Sequence, residues 1–143
     1  MTRYLLDTNI VSDAIKPRPS AALLAWMQER EDRDLFIASV SMAEIRRGIL
    51  ELPQGRKRAA LDAWFNGPVG PRALFAGRVL PFDESAALAW ARFMAAGRAM
   101  GRPRNAFDAL IAAIAETRGC LIVTDNTRDF FGVETINPMR AAR

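Results

Sequence analysis

Histidine is missing from all 143 residues, and cysteine occurs once, at Cys120. The first absence excludes Ser-His-Asp and Cys-His triads, histidine general-base chemistry and His-ligated zinc. The second excludes an intramolecular disulfide and any cysteine-rich zinc cluster. Cys120 opens the apolar run Cys120-Leu121-Ile122-Val123 and reads as a small buried hydrophobe. Lysine is almost absent too. Only Lys16 and Lys57 stand among 20 cationic side chains, so the net charge of +4 is carried by arginine, which suits bidentate phosphate contacts. No run approaches the ~18–20 apolar residues that cross a bilayer. The start, Met1 to Asp7, lacks a signal-peptide core and cleavage site. The chain is therefore expected to be cytoplasmic, without a membrane partner. Any hydrolysis it performs must run on carboxylates, with or without a metal.

Half the residues are hydrophobic and a quarter charged, ordinary values for a globular protein. The length is that of one unit, and a single domain over residues 1–143 is expected. Tyr4-Leu5-Leu6 reads as a buried strand ending at Asp7. A helix follows from Ile10 to Ile15, stopped by Lys16-Pro17-Arg18-Pro19. Ser20 caps a second helix carrying Leu23, Leu24, Trp26 and Met27. The charged stretch Glu29 to Asp34 reads as a solvated turn, and Leu35 to Ala38 as a second strand. Ser41-Met42-Ala43-Glu44 has the form of a capping box, opening a helix with Ile45, Ile49 and Leu50. Leu61, Trp64 and Phe65 mark the next helix, and Gly67 to Pro71 breaks it. Val79 to Phe82 reads as a strand, and Asp83 caps a helix from Ala86 to about Gly97. A further helix runs from Phe107 to Thr117. Leu121 to Thr124 is the clearest strand, and Thr135-Ile136 a last edge strand. Strands alternating with helices predict an α/β fold, a parallel central sheet with helices on both faces in three layers.

In such sheets functional groups gather at the carboxyl ends of the strands. Asp7 follows the first strand. Glu44 lies on the first turn of the helix after the second strand. Asp108 lies on the first turn of the helix before the long strand, and Asp125 and Asn126 follow that strand. Carboxylates brought together repel and take up protons unless a cation neutralises them. Oxygen-only donors suit a hard ion, Mg²⁺ or Mn²⁺, and the chemistry that fits is metal-assisted phosphodiester hydrolysis. Structural roles compete at each position: a capping box for Glu44, a helix-dipole acid for Asp108, an N-cap for Asp83. Asp7 resists such a reading best, because a carboxylate closing a buried strand is costly unless something pairs with it.

The motifs Leu6-Asp7-Thr8-Asn9, Ser41-Met42-Ala43-Glu44-Ile45-Arg46-Arg47-Gly48, Phe107-Asp108-Ala109-Leu110-Ile111-Ala112-Ala113 and Val123-Thr124-Asp125-Asn126-Thr127-Arg128-Asp129-Phe130, in this order, resemble the PIN domain of the VapC-type toxins. Phe75 to Asp83 is similar to the FitB-like branch. The likeness runs from Tyr4 to about Pro138. It implies a PIN-domain fold and a divalent-metal ribonuclease, with Asp7 and Asp108 as direct ligands and Glu44 as the third acid. Asn126, with Asp125 beside it, falls on the variable fourth position, so one Mg²⁺ (or Mn²⁺) is expected. Thr8, Asn9 and Thr124 would support the site, and Asp129 fits a structural role or a distant acid. The resemblance also implies an RNA substrate, often transfer RNA, a cognate antitoxin, a homodimer within a hetero-oligomer, and DNA contact only through the antitoxin. Trp26, Trp64 and Phe65 are candidate partner contacts, with ordinary core as the other reading. Arg46, Arg47, Arg102 and Arg104 flank the acids and are expected to contact RNA phosphates.

Two phosphotransfer-like folds also place an Asp after their first strand. Response regulators and haloacid-dehalogenase-like enzymes need a later lysine, and the latter want a second Asp where Asn9 stands. A FitB-like chain acting as half of a DNA-binding repressor, with little nuclease activity, is the other reading.

Overall fold

Five short strands make the sheet: β1 (Arg3–Leu6), β2 (Leu35–Ala38), β3 (Val79–Leu80), β4 (Cys120–Val123) and β5 (Thr135–Ile136). Their order is β3-β2-β1-β4-β5, and every neighbouring pair is parallel. The computed structural model describes residues 1–14 and 18–139; Ile15, Lys16 and Pro17, the end of the first expected helix and part of its stop signal, lie outside the described residues. Seven α-helices occur among the described residues: α1 (Thr8–Ala14), α2 (Ala21–Gln28), α3 (Ser39–Leu50), α4 (Arg56–Asn66), α5 (Pro71–Leu74), α6 (Glu84–Ala99) and α7 (Ala106–Arg118).

The strands are apolar apart from Arg3 at the start of β1 and Thr135 in the edge strand β5, because both faces of the sheet are covered. Side chains alternate between two cores, as the period of two requires. Leu5, Ala38 and Ile122 pack with Ala86 of α6 and with Ile111, Ala112, Ile114 and Ala115 of α7. Leu6, Leu35, Ile37 and Val123 pack on the other side with Ile10 and Val11 of α1 and Leu23 and Trp26 of α2. The expected three-layer α/β architecture is present. Its register sets Leu6 beside both Ile37 and Val123, so the chain leaves β1, β2 and β4 at one edge.

Several local expectations differ from what is seen. Helix α3 starts at Ser39, directly after β2, with Ala38 as an N-cap that makes no side-chain bond. Ser41 is fully buried and its hydroxyl has no partner, so the capping box does not form, and Glu44 sits on the second turn rather than the first. The third strand ends at Leu80, because Pro81 has no N–H for the ladder; the Phe82 N–H is donated to Ser39 Oγ instead. A 3₁₀ turn, Asp32–Asp34, occupies part of the expected solvated turn. Trp26 and Phe65 are buried in the core, while Trp64 remains half-exposed. The first two are therefore not surfaces for a partner.

The cap of α6 is the one expected, and α7 carries one of the same kind. Asp83 accepts the Ala86 N–H at 3.0 Å and Asn105 accepts the Asp108 N–H at 3.0 Å. Gly119 ends α7 in the left-handed region (φ 65°), a turn open to glycine at little cost, and delivers the chain into β4 one residue later.

Candidate metal centre

With strand order 3-2-1-4-5, connections run one way from β1 to β2 and the other way to β4. The crevice beyond β1 and β4 is thus the topological switch point, where open α/β sheets bind ligands. Asp7 stands there, extending β1 by donating its N–H to Val123 O at 2.9 Å. Its carboxylate is buried and held at both oxygens. Thr8 N–H is donated to Oδ1 at 2.8 Å, and the Thr124 hydroxyl is donated to Oδ2 at 2.9 Å. Thr124 is itself fully buried and accepts the Asn126 N–H at 3.0 Å. One hydroxyl thereby ties the end of β1 to the turn after β4.

A cleft of about 290 Å³ opens over Asp7. Thr8 and Asn9 of α1, Glu44 of α3, and Phe107 and Asp108 of α7 line it. Asn105, Asn126 and Asp129 complete the wall. Three of the expected acids, Asp7, Glu44 and Asp108, are therefore brought together from distant parts of the chain. Asp125 is not among the lining residues. Its carboxylate accepts the Asn9 Nδ2–H from α1. Asp129 takes the position instead. The 3₁₀ turn Thr127–Phe130 brings residues three apart to one side, so Asn126 donates its side-chain N–H to Asp129 Oδ2. That pairing is the signal in Asn126-Thr127-Arg128-Asp129 that a reading by position alone misses. Asn105 was likewise not expected at the site; its capping role explains its place at the wall.

The electrostatics show what the cleft lacks. Burial pushes the Asp7 carboxyl above the usual range, against its bonds from Thr124 and Thr8, and the charges of Glu44 and Asp125 add to the rise. Asp108 is pushed up to about 6, first by burial and then by Asp7, Asp129 and Glu44. Two further oxygens at the site, Thr8 Oγ1 and Asn9 Oδ1, are buried with no hydrogen-bond partner. Clustered acids and orphaned oxygens together fit a hard cation with its water. Among the described residues no three acid or cysteine side chains form a ready-made metal cage. The donor set thus suits a hard divalent ion that keeps several of its waters.

The four expected arginines divide. Arg47 is exposed and lines a hollow adjoining the cleft, beside Glu44 and Phe107. Arg46 is turned away: it pairs with Asp62 and its guanidinium lies 5.3 Å from the Phe65 ring centre. Arg104 is wedged between Phe93 (4.9 Å) and Phe131 (4.1 Å), with its Nε buried and unpartnered. Arg102 covers the Phe131 ring at 3.7 Å and remains exposed. Arg46 and Arg104 are therefore packing residues as much as cations, and neither lines the cleft.

The family comparison agrees with this fold. The PIN domain model matches residues 4–134. The chain is 35% identical over 140 residues to VapC ribonuclease Y4jK of Sinorhizobium fredii, covering 96% of this chain and 99% of the relative. It is 34% identical over 136 residues to toxin FitB of Neisseria gonorrhoeae, covering 94% and 96%. The solved structure of FitAB bound to the IR36 DNA fragment superposes with a TM-score of 0.86 at 32% identity, covering 96% of each chain. With the fold and these likenesses in agreement, the chain belongs to the PIN-domain family, among its VapC- and FitB-like toxins.

Proposed function

We propose that this chain is the toxin of a type II toxin–antitoxin pair, an endoribonuclease that hydrolyses RNA phosphodiester bonds with Mg²⁺, or Mn²⁺ in its place. The observation that carries the reading is the cleft at the switch point. There a buried Asp7, Asp108 and Glu44 face one another, with Thr8 and Asn9 oxygens left unpartnered. Asp7 and Asp108 would hold the ion, and Glu44 and the Asn126–Asp129 pair would act on its waters. When bound, the ion supplies a water of lowered pKa and a positive charge for the phosphate. The chain's own residues do the rest. Thr124 and the Thr8 N–H keep Asp7 oriented, and Asn105 fixes the turn that presents Asp108. Glu44, exposed at the mouth, would take the proton of the attacking water.

The similarity to toxin FitB, solved as FitAB bound to a DNA fragment, supports a cognate antitoxin; a toxin homodimer within the hetero-oligomer and DNA contact through the antitoxin alone belong to the same proposal. Transfer RNA is the substrate class to test first. No helix among the described residues is long and apolar enough to cross a membrane, in keeping with the proposed cytoplasmic site of action. A second reading, a partner in a DNA-binding complex with little nuclease activity, draws support from the FitAB–DNA structure and from an amide, Asn126, at the fourth corner. The deciding experiment incubates the purified chain, free of antitoxin, with total RNA and Mg²⁺ or Mn²⁺. Cleavage abolished by EDTA and by Asp7→Ala is expected. RNA left intact under all conditions, with operator binding by the complex, would favour the second reading.

A further inference from the structure

Beside the acid cleft lies a second hollow of about 300 Å³, lined by Ala43, Glu44, Arg47 and Phe107. Glu44 and Phe107 belong to both. Phe107 is the only aromatic residue in either lining, and Arg47 the only cation. The volume lies at the lower end of pockets that hold a small ligand, about 300–1,000 Å³. Resting on the ribonuclease reading, we propose that Phe107 and Arg47 form a nucleotide subsite beside the cut. The base flanking the scissile phosphate stacks on the Phe107 ring, and Arg47 takes the next phosphate along the strand.

The chemistry of the wall selects this ligand. An aromatic face next to an exposed guanidinium is the pairing that binds single-stranded nucleic acid, ring to base and cation to backbone. Phe107 precedes Asp108 in α7, so a base on its ring lies one residue from the carboxylate that would hold the ion. Phe107 is half-buried, packed by one side against the core beneath α6 and α7, which fixes the ring before a ligand arrives. Arg47 is held only by an exposed ion pair with Glu51, one helical turn on, at 3.0 Å. Such a pair is weak and exchanges readily for a phosphate. Arg46, its neighbour, is committed to Asp62 and Phe65 and cannot serve. Ala43, the remaining lining residue besides Glu44, is small and exposed.

The test uses the full chain as an Asp7→Asn variant, which keeps RNA whole, and ten-nucleotide RNAs carrying 2-aminopurine at each position in turn. Quenching of the fluorophore at one position is expected. Phe107→Leu keeps the apolar contact with the core but removes the stacking face, and should abolish that quenching and weaken binding about ten-fold. Phe107→Tyr should retain both. Arg47→Ala should preserve the quenching while reducing the salt dependence of binding by about one unit of slope; Arg47→Lys should restore it. Quenching at no position, or unchanged in Phe107→Leu, overturns the subsite, and loss in Phe107→Tyr as in Phe107→Leu assigns Phe107 to packing alone. The readout does not depend on cleavage. Failure of the unmodified chain to cut RNA would overturn the ribonuclease reading, while the stacking result still decides the subsite.

Discussion

At the scale of single residues, Asp108 makes the sharpest demand on the cleft. Its carboxyl is raised from 3.8 to about 6 by burial and by Asp7, Asp129 and Glu44. The folded chain therefore holds a proton that the unfolded chain has released, and without metal its stability falls as pH climbs from about 4 to about 6. Above pH 6 the destabilisation is complete. A rise of that size is worth about 3 kcal/mol in a fully desolvated site; solvent screening of this half-exposed group reduces it to roughly 1 kcal/mol. Asp108→Asn removes the charge, so the metal-free variant is expected to melt a few degrees higher than the parent at pH 7 while losing RNA cleavage. Equal melting temperatures at pH 7 would mean that Asp108 is not under charge strain. Thr124 makes the opposite case. Its hydroxyl is donated to Asp7 and accepts from Asn126, so Thr124→Val strips one bond from a buried carboxylate and leaves an N–H bare. A loss of about 1–3 kcal/mol is expected in urea unfolding, with reduced cleavage. Thr124→Ser should recover most of both.

At the scale of elements, helix starts decide where the acids end up. Asn105 caps α7, and its oxygen holds the N–H of Asp108 itself. Asn105→Ala should cost about 1 kcal/mol and loosen the turn that aims the carboxylate, whereas Asn105→Asp should keep the cap. Thermal unfolding and metal titration of the two variants separate these outcomes: cleavage equal to the parent in Asn105→Ala would make the cap purely structural. The helix is expected from Phe107, so Asn105 did not read as its cap, whereas the cap at Asp83 was readable. The start of α3 was not. Ser41 and Glu44 have the spacing of a capping box, but β2 runs straight into the helix and the Ser41 hydroxyl is carried into the core. Tertiary packing overrode the local signal. The same holds for Asp125 and Asp129. Sequence position put Asp125 next to the strand end, yet the 3₁₀ turn brings Asp129 into the cleft wall, while Asp125 is bonded to Asn9 and does not line it. Strand positions fared better, because fully buried parallel strands are apolar throughout and stand out between turn residues.

At the scale of the molecule, the distribution of charge matters more than its total. The chain is net positive, yet the cleft beyond β1 and β4 gathers Asp7, Glu44, Asp108 and Asp129, and among the described residues lining it or the adjoining hollow Arg47 is the one cation. Arginine placed by sequence beside the acids is largely diverted by the fold: Arg46 to Asp62, Arg104 into a slot between two phenylalanines. That slot joins α6 to the segment after Asp129, so Arg104 acts on the site chiefly by holding its wall. Arg104→Ala should therefore destabilise the fold, while Arg102→Ala, exposed over one face of Phe131, should change RNA binding with little effect on melting. Such a cleft must be neutralised from outside before a phosphodiester can approach it. A cation binding only the folded state raises stability as RT ln(1 + [L]/Kd), about 2.7 kcal/mol at a hundred-fold excess over Kd. Mg²⁺ or Mn²⁺ should thus raise the melting temperature at pH 7.5, and EDTA should reverse the shift. Below pH 6 the ion competes with the proton on Asp108, so its apparent affinity should fall by up to about ten-fold per pH unit. In Asp108→Asn that pH dependence should flatten. A shift of the same size at pH 5 and pH 7.5 would place the bound ion elsewhere on the molecule.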